Sequence, residues 1–177
     1  MATTLTRPIQ PTGVERQLAE NELIVSKTDL QGRITYANRT FQRISGFRED
    51  ELLGAPHNLV RHPDMPRSVF KLLWDTIQSG KEIFAYVVNV SKNGDHYWVL
   101  AHVTPSFDEG GRILGFHSNR RKPTPRALEK IKALYATLRE EERRHSSAPR
   151  AAEAGVAKLQ QILAESTLTY DQFVFTL

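Results

Sequence analysis

IFAYVVNVSKNGDHYWVLAHVT, residues Ile83 to Thr104, decides the fold. A two-residue period runs on both sides of Asn93-Gly94, a dipeptide that favours hairpin turns because both residues tolerate positive φ. Ile83–Ser91 and His96–Thr104 therefore read as two long antiparallel strands. With Asn93-Gly94 as a two-residue turn, Lys92 pairs with Asp95, Val90 with Tyr97 and Asn89 with Trp98. Alternation then puts Asn89 on one face with Ile83, Ala85, Val87, Trp98, Leu100 and His102. A carboxamide in that apolar setting needs a partner, from a ligand or from backbone or water. The other face carries Phe84, Tyr86, Val88, Val90, Tyr97, Val99, Ala101 and Val103. Both faces are apolar, whereas a sheet wet on one side alternates more cleanly. An N-terminal helix or a second subunit is expected to cover the second face.

Working outward, Glu109-Gly110-Gly111 is a turn and Arg112–Arg121 a third strand of the meander. Upstream, Pro66 opens a helix carrying Val69, Phe70, Leu73, Trp74 and Ile77 at helical spacing, and Gly80 ends it. Ala55–Pro66 is a loop, and Glu49–Leu53 a helical turn stopped by Gly54. Asn38 caps a short helix with Phe41 and Ile44 on one face, ended by Gly46. Leu23–Thr28 and Arg33–Ala37 form a first hairpin about Asp29–Gly32. Two strands, short helices and three strands give an α+β arrangement: a five-stranded antiparallel sheet with short helices on one face, plus N- and C-terminal helices.

The flanks are less patterned. Met1–Pro11 reads as disordered and Thr12–Glu20 as a short helix with Val14 and Leu18 on one face. Arg126–Arg144 is helical, His145–Gly155 a linker, and Val156, Leu159, Ile162 and Leu163 mark a last short helix. Thr167–Leu177 is apolar and β-prone, and is expected to be packed or partner-bound. The divisions are 1–20 for an N-terminal cap, 21–122 for the central domain, 123–145 for the C-terminal helix and 146–177 for linker, short helix and tail.

Composition narrows the class. The 177 residues are 40% hydrophobic and 25% charged with a net charge of +4, as in soluble globular proteins. The run Glu140–Arg144 reads as a solvated helix face rather than a nucleic-acid patch. Nothing approaches the ~20 apolar residues of a membrane helix, and the start lacks a signal-peptide core, so a cytoplasmic location is expected. There is no cysteine. That excludes disulfides, thiolate metal sites, thiol nucleophiles and the flavin–cysteine adduct of blue-light sensors.

Three stretches carry a resemblance: Pro56-His57-Asn58-Leu59-Val60-Arg61-His62-Pro63-Asp64-Met65-Pro66, then Trp74, then Lys92-Asn93-Gly94-Asp95-His96-Tyr97-Trp98-Val99. Together they resemble the FAD-binding PAS domain of bacterial aerotaxis receptors, over about Leu23 to Arg121. The hairpin motif is common among PAS domains, whereas the eleven-residue loop is specific. The membrane anchor and signalling hairpin of those receptors are expected to be supplied by a second protein. The chain is thus similar to the PAS-only subunit of bipartite energy-taxis systems.

The resemblance implies a redox sensor that holds FAD and signals to a membrane chemoreceptor-like partner, as a homodimer. It implies no nucleic acid and no direct membrane insertion. It also implies that Arg61, His62, Asp64, Trp74 and Asn89 line or support the flavin pocket, with Asn58 and Trp98 from the same motifs. Arg61 suits a pyrophosphate, being a planar, permanently charged donor fork. Asp64 suits a ribose hydroxyl, or equally a cap on the helix that Pro66 opens. His62 can orient the loop. Trp74 either stacks on a ligand ring or packs in the core.

Other classes remain open. A haem-binding gas sensor on the same fold would take His62, His102 or His117 as axial ligand. A cofactor-free PAS interaction module needs no ligand. His62-Pro63-Asp64 matches the tripeptide of chaperone-recruiting J-domains, but those are all helical. No catalytic nucleophile set, phosphate-cradling glycine loop or HExxH accompanies the loop, which argues against an enzyme.

Overall fold

The computed structural model describes residues 9–177. The disorder expected for Met1–Pro8 falls outside them. Strands β1 (Ile24–Thr28), β2 (Ile34–Ala37), β3 (Ile83–Val90), β4 (His96–Phe107) and β5 (Ile113–Arg121) form one sheet in the order β2-β1-β5-β4-β3. Every neighbouring pair is antiparallel. Between β2 and β3 come α1 (Arg39–Ser45), α2 (Glu49–Leu52), a 3-10 turn at His57–Val60 and α3 (Arg67–Gln78). Asn38 explains how α1 is started and aimed. Its Oδ1 accepts from Phe41 N at 3.0 Å and Val25 N at 3.1 Å, and its Nδ2 donates to Leu23 O at 2.8 Å. One side chain thus caps the helix and ties it to β1.

The central hairpin differs from the expectation by one residue. Ser91 N donates to Asp95 O at 2.6 Å and Gly94 N to Ser91 O at 2.8 Å, so the loop is three residues, Lys92–Gly94, with Gly94 at φ +96°. A glycine at the left-handed position closes such a loop. The pairs are Asn89–Tyr97, Val88–Trp98, Val87–Val99 and Phe84–His102. A one-residue slip moves a strand's whole side-chain set to the other face. Asn89 therefore shares the inner face with Tyr97, Val99, Ala101 and Val103, while Trp98, Leu100 and His102 join Phe84, Tyr86 and Val88 outside.

The outer face is covered from within the chain. Helix α4 (Pro125–Arg143) sets Tyr135 against Trp98, ring centroids 6.0 Å apart, and the Tyr135 hydroxyl donates to Tyr86 O. Helix α6 (Tyr170–Phe175) puts Phe175 on Phe84 at 4.8 Å. Neither an N-terminal helix nor a second subunit is needed there. The tail is thus packed, but as helix: Thr169 and Gln172 form a capping box that outweighs its β propensity. The expected linker is also largely helix, because α5 (Ala148–Glu165) starts at Ala148. Pro149 in the first turn and Ala151, Ala152 and Ala154 after it favour that start.

Thr12–Glu20 is irregular rather than helical, with one isolated bridge at Glu15. Gly13 sits at φ +80°, and the backbone is taken up by the hairpin: Thr12 N to Gly94 O at 2.9 Å, Arg16 N to His96 O at 2.7 Å and His96 N to Val14 O at 2.9 Å. The Asp95 carboxylate holds this segment through Thr12 Oγ1 at 2.7 Å and Arg16 Nε at 2.9 Å. Hydrogen bonds from Asn93, Thr12 and Arg16 hold its pKa down to about 2, from 3.8. A folded value below the unfolded one gives stability that is full above about pH 4 and lost as pH falls through about 2. The segment should detach in that window. Amide exchange at residues 12–16, corrected for intrinsic rates, should rise there, and Asp95→Asn should show the fast rate already at about pH 5. Equal protection in both proteins at both pH values would contradict this.

Candidate functional site

Between the inner sheet face and α3 lies a cavity of about 420 Å³, within the range of small-molecule sites. Its floor is Val87 and Asn89 of β3, Ala101 and Val103 of β4, Phe116, Ser118 and Arg120 of β5 and Ser26 of β1. Its roof is Phe70, Leu73, Trp74 and Ile77 of α3, with Pro56, His57, Asn58 and Arg61 from the loop. It runs into an outer groove of about 1070 Å³, where Pro56, Asn58, Arg61, Arg67 and Ala148 line both. The outer groove is rich in cations: Arg33, Arg61, Arg67, Arg139 and Arg143 against Asp64 and Glu142.

The expected residues divide between these two spaces. Asn58 and Arg61 stand at the junction, Trp74 and Asn89 line the inner cavity only, and His62 and Asp64 line the outer groove only. Trp98 lines neither. It lies on the outer face, against Tyr135 and under the Lys132 ammonium at 5.6 Å, because of the one-residue change of register.

Arg61 holds its position through its backbone, which bridges Asn89 on β3, and its guanidinium lies 4.3 Å over the Phe70 ring. Burial lowers its pKa, the nearby Arg67 charge adding and Glu142 opposing. Trp74 meets Phe116 edge-on at 5.5 Å, and a Cβ on Gly32 would come within 2.9 Å of its ring. Gly32, at φ +75°, is therefore needed twice, for the turn and for the indole. His62 is buried and its Nδ1 accepts from Asp64 N at 3.0 Å, so it shapes the loop. Burial lowers its pKa, which suits a neutral acceptor. Asp64 does not cap α3. It pairs with Arg139, and the α3 amides turn to Glu142 instead. Glu142, read from sequence as part of a solvated run, is 8% exposed.

Two groups in the inner cavity lack what their chemistry demands. Asn89 is 3% exposed and its Nδ2 has no partner among the described residues. Arg120 is 2% exposed; one nitrogen donates to Ser26 Oγ, Cζ lies 4.6 Å over the Phe41 ring, and Nε and Nη1 have no partner among the described residues. Burial pushes the guanidinium down to about 10. His57 lines the same cavity, 3.4 Å from Ser26 Oγ, and burial followed by the Arg120 charge pushes it down to about 3. It is a neutral imidazole at physiological pH. Buried donors without acceptors are rare and costly. An aromatic-roofed cavity with fixed donors on its floor fits a planar heterocycle rich in acceptor atoms, and the cationic groove beside it fits a phosphate-bearing tail.

Arg120, Ser26 and His57 went unrecognised from sequence. The only available signal was the period of two, which sets Arg120 in line with Phe116 and Ser118. Of the histidines read as axial-ligand candidates, none lines the inner cavity. His102 pairs with Glu82 at 2.7 Å on the outer face, His117 bonds Asn119 at 3.1 Å, and His62 is in the outer groove.

Comparison with known proteins agrees with this fold. The family described as PAS fold matches residues 20–119. The chain is 45% identical over 121 residues to the aerotaxis receptor of Escherichia coli, covering 68% of this chain and 24% of that protein. It is 30% identical over 87 residues to the biofilm dispersion protein of Pseudomonas aeruginosa, covering 49% and 21%. The chain thus spans about a quarter or less of the length of these curated relatives. Among solved structures, the light-state LOV domain of the blue-light photoreceptor Aureochrome1 superposes with a TM-score of 0.55 at 23% identity, covering 65% of this chain and 91% of that one. That likeness concerns the fold.

Proposed function

The chain belongs to the PAS-fold family, and on that premise we propose that it is an FAD-binding redox sensor of the energy-taxis kind, signalling to a chemoreceptor-like membrane partner through protein contacts. The observation that carries the reading is Arg120: a buried guanidinium with two unpartnered nitrogens, lining an aromatic-roofed cavity. The similarity to an aerotaxis receptor supports the sensory role. The cationic groove that continues from the cavity supports FAD over a flavin without an adenylate tail. Light sensing through a thiol adduct has no support, since the chain holds no cysteine.

Bound FAD would supply a reversible redox couple whose reduction adds a proton and negative charge to its ring system. Trp74 and Phe70 would hold a planar ring against the sheet. Arg120 would stabilise negative charge there, in a setting too dry for water to screen it. His57, neutral when the cavity is uncharged, would gain proton affinity as negative charge develops beside it. Asn89 can present Nδ2–H or, by rotating, Oδ1, so it can answer a change from acceptor to donor.

Asn89 is also connected outward. It sits on β3 three residues from Tyr86, whose carbonyl accepts from Tyr135 of α4. Coupling of ~1–3 kcal/mol between two sites shifts an equilibrium five- to 150-fold. Amide exchange in α4 should therefore differ between oxidised and chemically reduced protein. Asn89→Ala should keep FAD, because Arg61, Arg120 and Trp74 remain, yet lose the difference. Wild-type-like redox dependence in the mutant would exclude Asn89 as the switch, and no dependence in wild type would contradict the sensor reading.

A further inference from the structure

Helices α4 and α5 follow the family-matched stretch, yet they build part of the site. Ala148 and Ala152 of α5 line the inner cavity, and Ala148 and Ala151 line the outer groove. The helix is seated closely on α3. A Cβ on Gly155 would lie 2.7 Å from the Ser68 side chain and 2.8 Å from the Glu142 carboxylate. That contact accounts for a glycine in a helix interior, where it is otherwise less favourable than alanine.

Glu142 joins these parts. Helix α3 starts after Pro66 with no side-chain cap of its own. Its first amides are met from 74 and 75 positions away: Glu142 accepts from Ser68 N at 2.8 Å, Ser68 Oγ at 2.7 Å and Arg67 N at 3.0 Å. One turn earlier on α4, Arg139 pairs with Asp64 of the loop. The same short stretch of chain thus caps the roof helix, pins the loop that carries Arg61, and delivers α5 across the cavity wall.

We propose that α5 is a lid over the cofactor site, latched by Glu142, so that lid docking and cofactor retention rise and fall together. The proposal rests on the FAD reading above. The coupling is reciprocal: a cofactor held behind the lid must stabilise the docked lid by the same factor by which the docked lid tightens cofactor binding.

The test uses the absence of cysteine. Leu159 is 2% exposed and lines neither cavity, so in Leu159→Cys a maleimide reaches the thiol only when α5 undocks. Saturating FAD should slow that labelling about tenfold or more. Adding Glu142→Ala, which removes charge-assisted bonds to three donors, should speed labelling and raise the FAD release rate, each by about 10- to 100-fold. Amide exchange along α5 in the protein without the cysteine, with and without FAD, repeats the comparison should Leu159→Cys fold poorly. Faster labelling with an unchanged FAD release rate would overturn the lid and leave the FAD reading standing. Failure of the unsubstituted protein to bind FAD would overturn that reading itself.

Discussion

Arg120→Met is expected to make the FAD-free protein more stable and to weaken FAD binding, two effects of opposite sign from one substitution. A basic group whose pKa is lowered by folding opposes folding wherever it is protonated. The fall of the Arg120 guanidinium from 12.5 to about 10 corresponds to roughly 3 kcal/mol against the folded state throughout the range below pH 10. Methionine removes that cost and keeps much of the apolar contact with Phe41. It loses the bond to Ser26 Oγ and the cation–π contact, together about 1–3 kcal/mol. The net gain is at most about 2 kcal/mol, or a Tm higher by at most roughly 8 °C for a chain of this size. FAD affinity should fall about 10- to 150-fold, the equivalent of a charge-assisted hydrogen bond worth ~1.5–3 kcal/mol. Thermal melts with and without FAD read both numbers. A mutant of lower stability and unchanged affinity would make Arg120 a structural residue.

Arg61→Ala is expected to discriminate between flavins. The side chain stands where the inner cavity meets the outer groove, with Arg67 near it. Its backbone bridge to Asn89 survives the substitution, so the loop should keep its course. What is lost is a cation facing a phosphate-bearing tail. FAD should bind about 10- to 150-fold more weakly. Riboflavin, which has no phosphate, should be affected several-fold at most through the lost contact with Phe70. Titrations of wild type and mutant with both flavins decide it. Equal losses for both would place the Arg61 effect on the ring rather than on the phosphates.

How far these residues were legible from sequence follows from the kind of interaction each makes. Local signals are legible. Asn38 before a helix, Gly46 after it and Asn93-Gly94 between two alternating runs each carry their meaning within a few residues, and the sheet followed from them. The register failed by one because a two-residue turn and a three-residue turn with glycine in the left-handed position share the same letters. That single step turned Trp98 out of the cavity. Thr12–Glu20 failed because backbone pairing with residues 94–96 outweighed a weak helical spacing. The linker expected at 145–155 was alanine-rich enough to read as helix, and Gly155 concealed it by marking a close approach instead of a break. The longer-range roles left no local trace. Asp64 sits at a plausible capping position, yet the cap comes from Glu142, inside a charged run with the look of a solvated face. Arg120 lies in Asn119-Arg120-Arg121-Lys122, an ordinary basic strand end, and only the assembled sheet shows which of those cations is buried without a carboxylate.

FAD is expected to occupy the inner cavity and outer groove together. The most direct measurement is the absorbance spectrum of the purified protein, followed by denaturation and identification of the released chromophore. A yellow protein is expected, with the two broad bands of oxidised flavin, bleached by chemical reduction and restored by air, releasing FAD in about one equivalent per chain. A Soret band would assign the cavity to haem. A folded protein that is colourless and stays so after incubation with FAD would show that this site does not hold FAD.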